Sequence, residues 1–141
     1  MIIADDQHLF AESLKFVLRG ESAGRIDVLG IAENGQDAVE MVEVREPDIV
    51  LMDIRMPVMD GVEATEIIHK NNPSVKTIIL TTFDDDELAV SALSCGATGY
   101  VLKDVDPQDL IQCIEAVYKG AYYISPSVGI KLFESKQAAE K

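Results

Sequence analysis

The chain alternates short apolar runs with amphipathic stretches, and that alternation restricts its architecture more than any other feature. Residues 2–4, 28–32, 49–52, 75–80 and 100–102 are rich in Ile, Val and Leu and are flanked by turn residues. Runs this short predict strands buried on both faces. Between them lie helical patterns: Phe10, Leu14, Val17 and Leu18 share one face, as do Leu110, Ile114 and Val117. Asp60, Asp84 and Asp106 each precede such a pattern, with Glu63, Glu87 and Asp109 following in the first turn. That spacing predicts helix caps. Pro107 suits a first helical position. Gly20, Gly96 and Gly120 fall where helices should stop, and Pro47 and Pro73 close the second and third helices before strands. Five β-α units in series predict one parallel sheet with helices on both faces.

The length of 141 residues, 48% of them hydrophobic, suffices for one compact domain with a real core. The pattern changes after Gly120. Ser125-Pro126 opens a further helical stretch containing Val128, Leu132 and Phe133, and residues 134–141 are polar and rich in Ala, Lys and Glu. The expected division is a domain over residues 1–122 and a connector over residues 123–141. No apolar run approaches the roughly 20 residues of a membrane span. The first residues lack the basic and long apolar regions of a signal peptide. Cys95 and Cys113 stand in no metal-binding spacing and read as reduced core residues. These features predict a soluble cytoplasmic protein without a membrane partner. A formal net charge of -13 would repel a phosphate backbone, so this chain alone is not expected to bind nucleic acid.

In open α/β sheets, ligands bind beyond the carboxyl ends of the strands. The first strand runs into Asp5 and Asp6, the third ends in Asp53, the fourth in Thr81 and Thr82, and the fifth in Lys103. Each residue alone has an ordinary role, as a helix cap, a solvated loop acid, a β-branched strand residue or a surface lysine. Their convergence from four strand ends carries the weight. Clustered carboxylates repel unless a cation sits among them, and all-oxygen ligands favour Mg²⁺. A carboxylate is also a competent nucleophile toward phosphorus. Mg²⁺, Lys103 and the Thr81 hydroxyl could each serve one phosphoryl oxygen.

Ala4-Asp5-Asp6, Leu51 to Pro57 with Asp60-Gly61, Leu80-Thr81-Thr82, and Gly99-Tyr100-Val101-Leu102-Lys103 resemble the motifs of response-regulator receiver domains. The resemblance covers about the first 120 residues. It implies a doubly wound, flavodoxin-like (CheY-like) α/β fold with a five-stranded parallel sheet in order 2-1-3-4-5 and five helices. It implies a sensor histidine kinase as phosphoryl donor and Asp53 as acceptor. Asp6 is then a direct metal ligand with Asp5 beside it, and the Arg55 backbone carbonyl is a further ligand. Thr81 is the hydroxyl that shifts on phosphorylation, and Tyr100 the aromatic that rotates inward after it. Such domains switch by self-association, so a homodimer on phosphorylation is expected. They are phosphoacceptors and not enzymes acting on other substrates.

Asp104, Asp106-Pro107, Gly120 and Ile124-Ser125-Pro126 extend the similarity to NarL-type regulators, which usually continue into a LuxR-type helix-turn-helix domain. An isolated receiver, separated in or near its linker from that output domain, is the expected reading. Asp104 stands where many receivers have proline, which leaves the loop at Lys103 open. Only Met1 precedes the first strand, so the expectation is that a few native residues are missing before it.

The alternative within the family is a stand-alone receiver working by contact or relay. Two other classes fit less well. A haloacid-dehalogenase-type phosphatase needs an acid two residues after its nucleophile, where Arg55 stands. A flavodoxin-like electron carrier needs a hydroxyl- and glycine-rich phosphate loop, and Asp5-Asp6-Gln7 would repel phosphate.

Overall fold

The computed structural model describes residues 1–82 and 86–124, and beyond them residues 126, 129–130 and 133–134. In chain order the elements are β1 (Ile2–Ala4), α1 (His8–Glu21), β2 (Gly30–Ala32), α2 (Gly35–Arg45), β3 (Ile49–Asp53) and α3 (Gly61–Asn71). They continue with β4 (Lys76–Thr81), α4 (Asp86–Ser94), β5 (Gly99–Leu102), α5 (Pro107–Tyr118) and β6 (Tyr123–Ile124). All pairings are parallel, and the sheet order is β2-β1-β3-β4-β5-β6.

Period-two alternation sends each strand's side chains to two separate cores. Ile2, Ala4, Val50, Met52, Ile79 and Tyr100 pack against Val42 of α2, Ile68 of α3 and Ala92 of α4. Ile3, Leu51, Ile78, Leu80 and Val101 pack against Leu18 of α1 and Leu110, Ile114 and Val117 of α5. Burial on both faces explains why the strands read as continuous apolar runs. Fully burying each Val, Leu, Ile or Met side chain among them contributes about 1.5–3 kcal/mol.

Two caps fall where their spacing predicts. Asp60 Oδ1 accepts from the Glu63 N–H at 2.9 Å, and Asp106 Oδ1 from the Gln108 N–H at 2.9 Å. Asn34 caps α2 in the same way, accepting from Asp37 at 2.8 Å. The expected cap at Asp84 lies outside the described residues. β2 begins at Gly30 rather than residue 28, because the ladder starts where β1 starts, at Ile2 opposite Gly30.

The sheet has six strands, not the expected five. After α5 the chain turns at Gly120, whose φ of +99° suits a residue without Cβ. Tyr123 and Ile124 then pair with Gly99 and Tyr100, and the Tyr123 N–H donates to the Thr98 carbonyl at 2.9 Å. The Tyr123 side chain packs on the α1–α5 core. Two residues are too few for strand alternation to register in a sequence, and these covered the edge of β5. Beyond β6, Pro126, Gly129, Ile130, Phe133 and Glu134 are helical; Ser125, Val128, Leu132 and residues 135–141 lie outside the described residues. Among the described residues, no helix is long and apolar enough to cross a membrane.

Candidate functional site at the carboxyl end of the sheet

Parallel order brings the carboxyl ends of β1, β3, β4 and β5 to one edge of the sheet. Asp5 leaves β1 and Asp53 ends β3; both are buried, while Asp6 is exposed. Carboxylate oxygens of Asp5, Asp6 and Asp53 lie within 4.8 Å of one another. The loop after β3 is drawn onto the strand end by a bond from the Gly61 N–H to the Ile54 carbonyl at 2.8 Å. A Cβ at Gly61 would strike the Asp53 carbonyl, so this approach requires glycine.

Lys103 reaches the acids from the end of β5. Its Nζ stands 3.0 Å from Asp5 Oδ2 and 3.2 Å from Asp53 Oδ2. It also donates to Gln7 Oε1 at 2.9 Å and lies 4.9 Å from the centre of the Phe10 ring. The backbone ties β5 to β4 at this point, with the Lys103 N–H donating to the Thr81 carbonyl at 2.7 Å. Asp5 Oδ1 accepts from the Gln7 N–H at 2.8 Å, which fixes the carboxylate plane.

Burial pushes the Asp53 carboxyl up to about 6, and the neighbouring charge of Asp5 adds to that rise; Lys103 and a backbone bond from Ile54 oppose it. Burial pulls the Lys103 ammonium down, but its close pairing with Asp5 and the charge of Asp53 outweigh this and hold it above the ordinary lysine range. One ammonium therefore neutralises two buried carboxylates incompletely.

The donor set fits a hard divalent cation. Three carboxylates converge, and Asp5 Oδ2 is buried without a directed hydrogen bond despite its ion pair. An octahedral cation that keeps several waters suits so open a set of oxygens.

Thr81 is buried at the end of β4, and its hydroxyl donates to the Thr82 carbonyl at 3.2 Å. Tyr100 pairs with Ile79, two residues behind Thr81, and is 1% exposed within the α3–α4 side of the core. Arg55 is exposed in the loop leaving β3. Gln7 and Phe10 escaped the sequence reading as site residues. Their one visible signal is position, directly after the acid pair and one helical turn beyond it.

The chain is similar to known proteins in family and in fold. The response regulator receiver domain family matches residues 1–115. The transcriptional regulatory protein LnrK of Bacillus subtilis is 44% identical over 91% of this chain and 57% of its own length. DegU of Brevibacillus brevis is 41% identical over 91% of this chain and 53% of its own. The chain thus spans little more than half the length of these relatives. A LuxR-family two-component response regulator from Aurantimonas superposes with a TM-score of 0.85 at 29% identity, over 96% of this chain and 95% of that one. A LuxR-family DNA-binding response regulator from Staphylococcus aureus gives 0.76 at 32% identity, over 83% and 96%. Family, fold and strand-end acids agree: the chain belongs to the response-regulator receiver family and contains the receiver domain of a two-component response regulator of LuxR/NarL type.

Proposed function

We propose that Asp53 is the phosphoacceptor, that Mg²⁺ is required, and that a sensor histidine kinase is the donor. The observation that carries this reading is the buried Asp5–Asp53 pair bridged by the single ammonium of Lys103, with Asp6 beside it. Asp5, Asp6, Asp53 and the Arg55 backbone carbonyl would hold the metal. Bound there, Mg²⁺ would neutralise phosphoryl charge as it develops. An Asp53 oxygen attacks phosphorus, the new P–O bond forming as the phosphorus–nitrogen bond of a phosphohistidine breaks. At neutral pH Asp53 is mostly ionised even with its raised pKa of about 6, so the nucleophile is ready. Lys103 already donates to Asp53 and needs only a small shift to reach a phosphoryl oxygen. Thr81, at the end of the adjacent strand, supplies a hydroxyl to another.

The role is that of an acceptor that promotes its own phosphorylation and dephosphorylation, with no other substrate. We assign residues 1–122 to the receiver unit and residues 123–141, beginning with β6, to the connector. In the whole protein we propose a helix-turn-helix output that regulates transcription, in keeping with the LuxR-family neighbours, and a cytoplasmic location. Phosphorylation would shift the chain toward a homodimer, with Thr81 and Tyr100 carrying the change; a coupling of about 1–3 kcal/mol suffices. This chain alone, at net charge -13, would not bind DNA.

Intact-mass measurement after incubation with acetyl phosphate and Mg²⁺ tests the assignment. One hydroxylamine-labile phosphoryl adduct is expected in the wild type and none in Asp53→Asn. An adduct of equal yield in Asp53→Asn, or undiminished yield in excess EDTA, overturns it.

A further inference from the structure

Gln7 occupies the N-cap of α1, a position where Ser, Thr, Asp or Asn normally accepts from the helix's first N–H groups. Its side chain makes no capping bond. It turns instead toward Lys103, 96 positions away in sequence, and accepts from Nζ at 2.9 Å. A residue that breaks its local rule and makes a long-range contact at an acid cluster is serving the cluster and not the helix.

An ammonium carries three N–H donors. Three oxygens surround Lys103 Nζ: it donates to Asp53 Oδ2 at 3.2 Å and to Gln7 Oε1 at 2.9 Å, while Asp5 Oδ2, 3.0 Å away, is its ion-pair partner without a directed hydrogen bond. The Phe10 ring bounds it on a further side, 4.9 Å away. The two carboxylates are the groups that a metal and an incoming phosphoryl group must engage. The amide oxygen of Gln7 is the one oxygen of the three that neither of them claims. It is also neutral, so it can hold the ammonium without adding charge beside an entering phosphoryl group.

We propose that Gln7 is a positioning residue for Lys103, a neutral tether that holds the ammonium over the pocket while Asp5 and Asp53 change partners. The proposal rests on reading Asp53 as the phosphoacceptor. It places Gln7 outside the metal's ligands and outside the bond-making step. Removing the tether should slow phosphoryl transfer through misplaced Lys103 and leave metal affinity alone.

The test measures phosphorylation by acetyl phosphate over a range of Mg²⁺ concentrations in wild type, Gln7→Ala, Lys103→Ala and the double variant. Gln7→Ala should slow the limiting rate about three- to tenfold, as loss of one hydrogen bond to a charged group implies. The Mg²⁺ concentration for half-maximal rate and the melting temperature should not move, because the Gln7 N–H bond to Asp5 survives the substitution. In the Lys103→Ala background the same change should have no further effect. An unchanged rate in Gln7→Ala, or an undiminished loss in the Lys103→Ala background, overturns the tether. The Lys103 ammonium ¹⁵N resonance gives a second reading that needs no phosphorylation. Its protons should exchange faster with water in Gln7→Ala, and equal exchange rejects the proposal. A wild type that takes up no phosphoryl group while its ammonium signal responds to Gln7→Ala would reject the phosphoacceptor reading and keep the contact.

Discussion

At the carboxyl end of the sheet, Asp5 and Asp53 lie buried side by side and share one ammonium, 3.0 and 3.2 Å away. At the amino end, Arg25 and Glu115 meet at 2.6 Å with side chains 63% and 37% exposed. The second pair lines an open cleft of about 560 Å³ together with Met1, Ile49, Ile114 and Tyr118. Both ends carry acids and a cation at contact distance. What separates them is water. At the exposed end, solvation makes the pair nearly neutral for stability. At the buried end, two desolvated negative charges face one positive charge, and the excess is stored as an unfavourable term. The site is thus poised to gain from any added cation.

The largest expected consequence is that removing a charge from the buried end stabilises the metal-free fold. Asp53 has its folded pKa raised to about 6 from an ordinary 3.8. The sign follows from proton linkage: between those values the native state binds more protons than the unfolded state, so stability falls as pH rises. The contribution is fully present below about pH 4 and lost above about pH 6. Asp53→Asn should remove that loss. In EDTA at pH 7.5 it should add about 1–2 kcal/mol, discounted from the full linkage value because water reaches part of the pocket. That corresponds to about 3–8 °C in melting temperature. The difference from wild type should shrink toward pH 4. A variant less stable than wild type at pH 7.5, or a gap constant across pH, would contradict the stored repulsion.

Metal should repair the same defect by mass action. At ten times its dissociation constant, Mg²⁺ adds about 1.4 kcal/mol to a protein that binds it only when folded. Wild type should show that rise in thermal melts, and Asp6→Ala, having lost an exposed carboxylate, should need a higher concentration for it. The Arg25–Glu115 end should not contribute, so Arg25→Ala should respond to Mg²⁺ as wild type does. An equal Mg²⁺ response in Asp6→Ala and wild type would remove Asp6 from the site.

How far each end was legible in sequence follows from the same physics. The acids, Thr81 and Lys103 were visible because each terminates an apolar run, and a run-ending polar residue in a parallel sheet has only one edge to occupy. β6 was invisible because Tyr123-Ile124 offers two residues to a pattern that needs four or more. Gln7 was invisible because a glutamine after two aspartates signals nothing locally; its meaning lies in a contact 96 residues away. Positive φ at Val58 was equally hidden, since a β-branched residue predicts extended backbone.

Val58 belongs to the functional end, in the loop between β3 and α3, with φ of +69° and 82% exposure. The left-handed region costs a residue with Cβ about 1–2 kcal/mol. Val58→Gly would relieve that strain, partly offset by the greater freedom glycine gives the unfolded chain. Because the side chain is in water, little burial is lost. A net gain of about 0.5–1 kcal/mol in denaturant unfolding is expected, and a loss would show that the loop holds Val58 for a contact. This tests whether the functional end stores backbone strain as well as charge.

The smallest effect belongs to the amino end, and its smallness is the point. Arg25→Ala removes one partner of a 2.6 Å ion pair, which by distance alone is closer than either contact of Lys103. If distance set the energy, this substitution would cost the most. Solvation reverses that order: Glu115 Oε1 is shut from water beneath the guanidinium, but the two side chains as wholes stay in contact with solvent, and a largely exposed ion pair contributes about 0.2–1 kcal/mol. Arg25 Nε also donates to the Ser22 carbonyl at 3.0 Å, a bond that water can replace at this exposure. Arg25→Ala should therefore destabilise by about 0.5 kcal/mol, and by less in high salt, where exposed charges are screened. Urea unfolding of both proteins at low and high NaCl measures this. A cost above about 2 kcal/mol that ignores salt would mean that the amino end is as desolvated as the acid cluster, and the contrast between the two ends would fail.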